Sequence, residues 1–398
     1  MKISTTLTIL AAVTYGSAQT NINPQDALRL AAKNRRSLQA AKLFLDESRA
    51  KSRALGAYAS TVIGIGASTR SDVGATDGDL YLSQPIDLFG KRDANQRIGN
   101  AGVQLALATY FAVARDLQTE VLTAFAETST ARARSEVAGE LLNVAERLFA
   151  ATKRRFDEGN VAETQVTRAS IELARAKQAK DLFASQYIRS LTRLASLLGT
   201  ESNEITVEPD SDIRPPDAAT FESRPDLLTL NAELQIAEAE IQSAKVSSRP
   251  DLSIQLVRTP WNNEPASFVG RAQLTWSIFD HGRLKNEGRA ATLRAEGSKK
   301  SLADATALAT KEAATAQMDV AAARIQHKSY EAILVSSKEL VAKSQRGFAE
   351  GLGSQIDVLE ATRALREIQQ EIILAKQQLS LAVIAQYRAC GFLSEVLK

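Results

Sequence analysis

The sequence predicts a mainly α-helical chain built from two copies of one long helical hairpin, each copy also carrying a pair of β-strands. The first observation behind this is a duplication. Phe156-Asp157-Glu158-Gly159 recurs 192 residues later as Phe348-Ala349-Glu350-Gly351. At the same offset Val166 meets Val358, Ala169 meets Ala361, Leu173 meets Leu365, Leu182 meets Leu374 and Gly199 meets Gly391. Upstream, Ile86-Asp87-Leu88-Phe89-Gly90-Lys91 lies over Ile278-Phe279-Asp280-His281-Gly282-Arg283. Asn34-Arg35-Arg36-Ser37-Leu38 lies over Ser223-Arg224-Pro225-Asp226-Leu227 at an offset of 189. Ordered matches at nearly one spacing are the mark of an internal repeat. The second observation is two long alanine-rich stretches, 93–157 and 286–349, without proline. The third is a period-two alternation in the two stretches that interrupt the helical pattern.

The elements follow in order. Residues 1–18 read as a cleavable export signal: Lys2, an apolar centre from Leu7 to Val13, then Gly16-Ser17-Ala18. No Cys follows the cleavage site, so no lipid anchor is expected. The first repeat spans 19–200 and begins with a helix from Pro24 to Tyr58. Two strands follow at about 61–88, where Ile63, Ile65 and Ala67 alternate with Gly64, Gly66 and Ser68. A long helix runs down to a turn near Gly159, and a shorter one returns to Gly199. A linker at 201–222 contains Pro209, Pro215 and Pro216.

The second repeat, 223–398, has the same plan: a helix at 224–248, strands at about 251–278, a turn near Gly351 and a return to Gly391. In its last strand Phe268, Gly270, Ala272, Leu274, Trp276 and Ile278 alternate with Val269, Arg271, Gln273, Thr275 and Ser277. Gly90 to Gly159 and Gly282 to Gly351 are equally spaced, at 69 residues. As helix each span is about 100 Å long. Each half is therefore a long helix down, a tight turn and a broken helix back.

A lone hairpin of strands is not stable in water. Either the strands form a small sheet lying on the helices, or several chains pool them into a barrel. Strands of about ten residues with one apolar and one polar face suit a membrane barrel. Trp261 and Trp276, near opposite ends of the second strand pair, suit two interfacial girdles.

Catalytic chemistry is poorly supplied. There is one Cys, Cys390, and there are two His, His281 and His327. No Cys/His cluster has metal-ligand spacing, and no GxSxG, HExxH or phosphate-binding glycine loop occurs. An enzyme is not expected, and neither is a cofactor. Cys390 aligns with Leu198 and reads as a packed apolar residue; His281 aligns with Phe89 and reads as the end of an element. Lys and Arg number 49, of which Lys2 would leave with the signal, against 46 Asp and Glu. That balance argues against nucleic acid as a partner.

The repeated tip segments, Arg155 to Val166 and Gly347 to Val358, with Arg224-Pro225-Asp226-Leu227 and the strand exit Ile86 to Lys91, resemble the TolC-like outer-membrane efflux protein family over essentially the whole mature chain. The resemblance implies a homotrimer in which four strands per chain build one 12-stranded barrel in outer-membrane lipid, and paired helices build an α-barrel tunnel across the periplasm. It implies a passive exit duct, with a periplasmic adaptor (membrane fusion) protein and an inner-membrane transporter of RND or ABC type as partners. It implies a channel constriction at Asp357 and Glu360, which lie three residues apart on one helix face just past the tip. It also implies adaptor-docking tips at Gly159, Asn160, Val161 and at Gly351, Leu352, Gly353. Departures are Asn34-Arg35-Arg36 in place of Asn-Pro, Gln165 in place of an acidic tip residue, and Gly353 in place of a basic one. Two other readings stand beside the efflux duct: a type I protein-secretion duct of the same fold, and a periplasmic coiled-coil scaffold or adaptor without a channel.

Overall fold

The computed structural model describes residues 20–70, 75–208, 212–216, 221, 223–258, 268–350 and 352–397. The export signal, Trp261, Pro209 and Gly351 lie outside the described residues. The described elements are β1 (Thr20–Ile22), α1 (Pro24–Asn34), α2 (Arg36–Leu55), β2 (Val62–Arg70), β3 (Ala75–Ile86), α3 (Lys91–Asp157), α4 (Glu163–Leu198), β4 (Ile205–Val207), α5 (Pro225–Ser247), β5 (Asp251–Arg258), β6 (Phe268–Thr275), α6 (Arg283–Ala349) and α7 (Gln355–Cys390).

The long helices α3 and α6 have 67 residues each, and their return helices α4 and α7 have 36 each. α3 is the central spar: α4, α5, α2 and α7 all pack against it, and α6 packs on α7 and α5. Contacts along the rods are made through small side chains. Ala94, Ala101, Ala108 and Ala114 of α3 are buried, as are Ala291, Ala295, Ala309, Ala313 and Ala316 of α6. Alanine lets helix axes approach closely and costs little side-chain entropy.

The larger apolar side chains gather at the waist. Phe125, Val121 and Leu122 of α3 meet Leu194 and Leu198 of α4, Ile22 of β1 and Val207 of β4. β1 and β4 pair in parallel there, Thr20 with Ile205 and Ile22 with Val207. Gln118 is buried in this region but fully used: its Nε2 donates to Phe392 O at 2.9 Å and its Oε1 accepts from the Ser394 N–H at 2.8 Å. Cys390, at the end of α7, is also buried, as its apolar counterpart in the repeat suggested.

Three boundaries differ from the sequence-based expectation. The helix expected from Pro24 to Tyr58 is broken at Arg35, whose ψ of 114° is extended. The break lets Asn34 turn its amide onto Leu198 O at 2.8 Å, capping the end of α4. The same helix stops at Leu55, because Arg92 Nε takes Gly56 O at 2.6 Å and the Gln96 side chain lies where a Cβ on Gly56 would be. The last strand ends at Thr275, so Trp276 and Ile278 lie outside it. Its partner β5 begins at Asp251, after Pro250, which has no N–H to donate. The Trp276 indole donates instead to Ser248 O at 2.9 Å.

The four strands form one antiparallel sheet in the order β2-β3-β5-β6. Its junctions with the long helices are built alike in both halves. Asp87 accepts backbone N–H bonds from Phe89, Gly90, Lys91 and Arg92 at 2.7–3.2 Å. Asp280 accepts from Gly282 and Leu284. Partial burial pushes the Asp87 carboxyl up, but the four donors outweigh it and hold it below its ordinary value. Gly90 and Gly282 turn the chain at φ +80° and +83°, a region that costs glycine nothing.

Candidate channel mouth, constriction and docking tips

At one end of the rods is the sheet. Cross-strand register places Ile63, Leu82 and Leu256 on one face, with Ile65, Leu80 and Phe268, and further along Ile254 with Ala272 and Leu252 with Leu274. The opposite face carries Val62, Ser83, Gln255 and Arg271 in one row, Ser253 and Gln273 in the next, and Tyr81, Val257 and Val269 in the row on the other side. Gln255 links that row: its Oε1 accepts from Arg271 at 2.6 Å and its Nε2 donates to Gln273 at 3.0 Å. The apolar face is uncovered, with Ile65 84% and Leu274 60% exposed. Gln84 and Arg258 interrupt it; Arg258 reaches back to Gly78 O. β2 and β6 each leave one edge without a partner strand among the described residues.

At the other end are the two turns. In the first, Gly159 adopts φ +75°, its N–H donates to Phe156 O, and the Asn160 N–H donates to Arg155 O at 2.8 Å. This is the left-handed C-cap that satisfies the last carbonyls of a helix. In the second, the N–H groups of Leu352 and Gly353 both converge on Gly347 O, at 2.8 and 2.9 Å.

The turns are not equivalent. Arg155 of the first reaches across to the second: its guanidinium lies 4.2 Å from the Phe348 ring centroid and donates to Phe348 O at 3.3 Å. The residue in that place in the second turn is Gly347, which has no side chain to reach anything. A Cβ on Gly353 would sit 3.2 Å from the Gly347 carbonyl carbon, so this turn is closed on itself at backbone level. Leu352, at its apex, is 84% exposed. Asn160 is exposed and Val161 half-buried.

Asp357 and Glu360 are both exposed, while Val358 and Ala361, the residues that directly follow them on α7, are buried. Asp357 has a second task that sequence reading missed. The Ser354 hydroxyl accepts the N–H groups of Ile356 and Asp357, and Asp357 Oδ2 accepts the Ser354 N–H at 2.9 Å. This is a reciprocal capping box, legible in Ser354-x-x-Asp357. The first half has Ala162 and Gln165 at those positions, and α4 starts without a side-chain cap.

Sequence reading also missed a charged cluster about two turns above the tips. Glu172 Oε1 of α4 accepts from Arg363 of α7 at 2.6 Å and from Arg175 at 3.2 Å. No local pattern could reveal a pair of residues 191 apart in the chain.

The model of the outer membrane efflux protein family matches residues 27–200 and again 219–391. The chain belongs to that family. The family model thus matches the chain in two successive segments. Among curated relatives, the pyoverdine export outer membrane protein OpmQ of Pseudomonas aeruginosa is 23% identical over 82% of this chain and 72% of its own length. The cobalt-zinc-cadmium resistance protein CzcC of Cupriavidus metallidurans is 25% identical over 71% of this chain and 70% of its own. In three dimensions the chain resembles the outer membrane protein VceC of Vibrio cholerae, with a TM-score of 0.74 at 17% identity, covering 92% of this chain and 96% of that one. CusC matches with the same TM-score at 20% identity, covering 95% of each chain. Membership bears out the expected outer-membrane exit duct of efflux or secretion type; a channel-free periplasmic scaffold is set aside. The family is one of transport and not of catalysis.

Proposed function

We propose that three copies of this chain form a passive duct, spanning the outer membrane as one 12-stranded barrel and the periplasm as a helical tunnel. The observation that carries this reading is the sheet: an uncovered apolar face, an opposite face with a band of Ser, Gln and Arg side chains, and two edges without a partner strand among the described residues, at one end of helices about 100 Å long. In water such a sheet is an aggregation hazard. In a membrane, β6 of one copy pairing with β2 of the next leaves no edge, and the apolar face meets lipid. The helices support the same ring. α6 exposes Leu293, Leu308, Met318, Ile325 and Val335, while α2 exposes Leu43 and Phe44 and α4 exposes Leu182 and Ile188. Two different apolar edges on one chain make a head-to-tail contact, which closes into a ring.

Residues 1–18 act as the cleaved export signal. An adaptor protein grips the turns at Gly159, Asn160 and Val161 and at Gly351, Leu352 and Gly353, and an RND or ABC transporter in the inner membrane supplies the energy. The cargo is chosen by that pump; in support, proteins as unlike in name as a pyoverdine export protein, a cobalt-zinc-cadmium resistance protein and the alkaline protease secretion protein AprF all match this chain in sequence. A type I protein-secretion duct therefore remains the alternative within the same fold.

The barrel register is tested by cysteine labelling in a Cys390→Ala background. A charged, water-soluble thiol reagent is expected to modify Gln273→Cys and to spare Leu274→Cys in proteoliposomes. Equal labelling, or labelling of position 274 alone, would mean that the sheet does not present this face to lipid.

The constriction is tested electrically. Three copies of Asp357 and Glu360 would stack two acidic rings at the tip and favour cations. Neutralising both, as Asn and Gln, is expected to lower the cation preference of single channels in planar bilayers and weaken block by trivalent cations. Asn at 357 keeps a carbonyl oxygen for the Ser354 N–H, so the cap survives. Unchanged selectivity would place the narrowest point elsewhere.

A further inference from the structure

A small cavity of about 50 Å³ lies between α3, α4 and α7; its polar lining is Arg134, Arg175, Arg366 and Gln370, and the rest of its wall is apolar, with Leu141, Phe183 and Ile373 the largest side chains. The three arginines come from three different helices. Their electrostatics do not balance. Among the described residues, Arg134 and Arg366 form no ion pair. The nearby carboxylate is Glu172, whose side chain is 15% exposed and whose Oε1 is already shared by Arg363 at 2.6 Å and Arg175 at 3.2 Å. Burial pushes the Glu172 carboxyl up, and the Arg363, Arg175 and Arg366 guanidiniums outweigh that and hold it low. Three guanidiniums thus share one carboxylate beside the cavity, and Arg134 adds a fourth positive charge to its lining. Arg134 and Arg366 are half-buried while Arg175 and Arg363 are exposed, and like charges gathered there repel unless solvent or an anion screens them.

We propose that this cavity is a binding site for a small multivalent oxyanion of the phosphate or sulfate class, held by Arg134, Arg175 and Arg366. A tetrahedral oxyanion fits the volume, since a single water needs only about 10–15 Å³ of the same measure. Planar guanidinium forks suit its oxygens better than any other side chain does. A lipid headgroup is not the source. Arg134 lies 43 residues beyond the start of α3 at Lys91, which is about 65 Å along the helix from the sheet. The occupant is therefore a free solute. Bound there, it ties the two return helices to α3 and so couples the two hairpins of one chain. The site lies within a single chain and does not depend on the duct reading.

The test uses the full-length protein, purified in detergent without phosphate or sulfate. Titration with inorganic phosphate, at ionic strength held constant with chloride, is expected to raise the thermal midpoint saturably by about 2 °C, as a ligand near tenfold its Kd does. The rise should vanish in Arg134→Gln/Arg366→Gln and persist in Arg289→Gln, an exposed position on α6. Calorimetric titration of the wild type should give one phosphate per chain. No saturable rise in the wild type, an equal rise in the double variant, or less than one phosphate per chain would each overturn the proposal. The calorimetric arm decides the matter if the double variant fails to assemble.

Discussion

Gly391→Ala is expected to destabilise the waist of the molecule by more than Gly159→Ala destabilises the tip. Gly391 caps α7 at φ +65°, and a Cβ there would stand 2.6 Å from Arg224 Cα and 2.7 Å from its N. The left-handed conformation costs about 1–2 kcal/mol for alanine, and forcing backbone apart adds about 1–3 kcal/mol. Gly159 is the control, with φ +75° but nothing within 4 Å of its notional Cβ, so alanine there carries the first cost alone. Thermal midpoints of the purified assemblies compare the two. If both variants melt together, the Arg224 backbone yields and the contact is not structural.

Arg224 shows why that contact is tight. Its side chain is buried, forks onto Asp226 at 2.7 and 3.1 Å, and donates to Glu312 of α6 at 2.7 Å and to Ala389 O at 3.3 Å. Removing one partner of a buried pair costs about 3–5 kcal/mol. Both carboxylates are nearly half exposed, so about 2 kcal/mol is expected for Arg224→Ala. The pH dependence has a definite sign. Burial pushes the Asp226 carboxyl up, but Arg224 outweighs it and holds it below its ordinary value. The folded protein thus releases this proton more readily than the unfolded chain. The contribution of the pair is complete above the ordinary carboxylate value near pH 4 and is lost as pH falls through the lower, folded value.

The parts of this fold that are legible in the sequence are those made by local chemistry. A left-handed C-cap needs glycine, so Gly159, Gly199 and Gly391 mark helix ends wherever they stand. Asp87 and Asp280 cap the strand exits through atoms at most five residues away, so Ile86 to Lys91 and its repeat carry the junction by themselves. Alternation marks β2, β5 and β6 because half their side chains need apolar surroundings. What escapes is what the chain assembles from a distance. β1 and β4 pair across 185 residues with three residues each, too short for a period to show. The bridge from Arg155 to Phe348 escapes for the same reason, and so does the sharing of Glu172 by Arg363. At the candidate site the positions of Asp357 and Glu360 are legible. That Asp357 also closes a capping box is written locally, in Ser354-x-x-Asp357, but is passed over when Asp357 is read only as a channel-lining charge.

Leu352→Arg is expected to abolish export while leaving assembly intact. Leu352 sits at the apex of the second turn, 84% exposed, and the turn is held through its backbone N–H to Gly347 O, so the side chain is not needed for the fold. An apolar group held at such a place contributes about 1.5–3 kcal/mol if a partner covers it. In a trimer the loss occurs three times on one partner ring, and multivalent attachment magnifies it. Arginine also introduces a charge that the partner would have to desolvate. The first turn should be more tolerant, because Val161 is half-buried and Arg155 already occupies the space beside Phe348. Val161→Arg is therefore expected to weaken export less. The measurement is cargo clearance from cells lacking other ducts, at matched outer-membrane levels of each protein, with thermal midpoints as the check on folding. Normal clearance by an assembled Leu352→Arg protein would mean that the turns merely cap their helices and that the adaptor holds the rods higher up. Equal losses at 352 and 161 would mean that the partner does not distinguish the two turns, despite the side chain that one has and the other lacks.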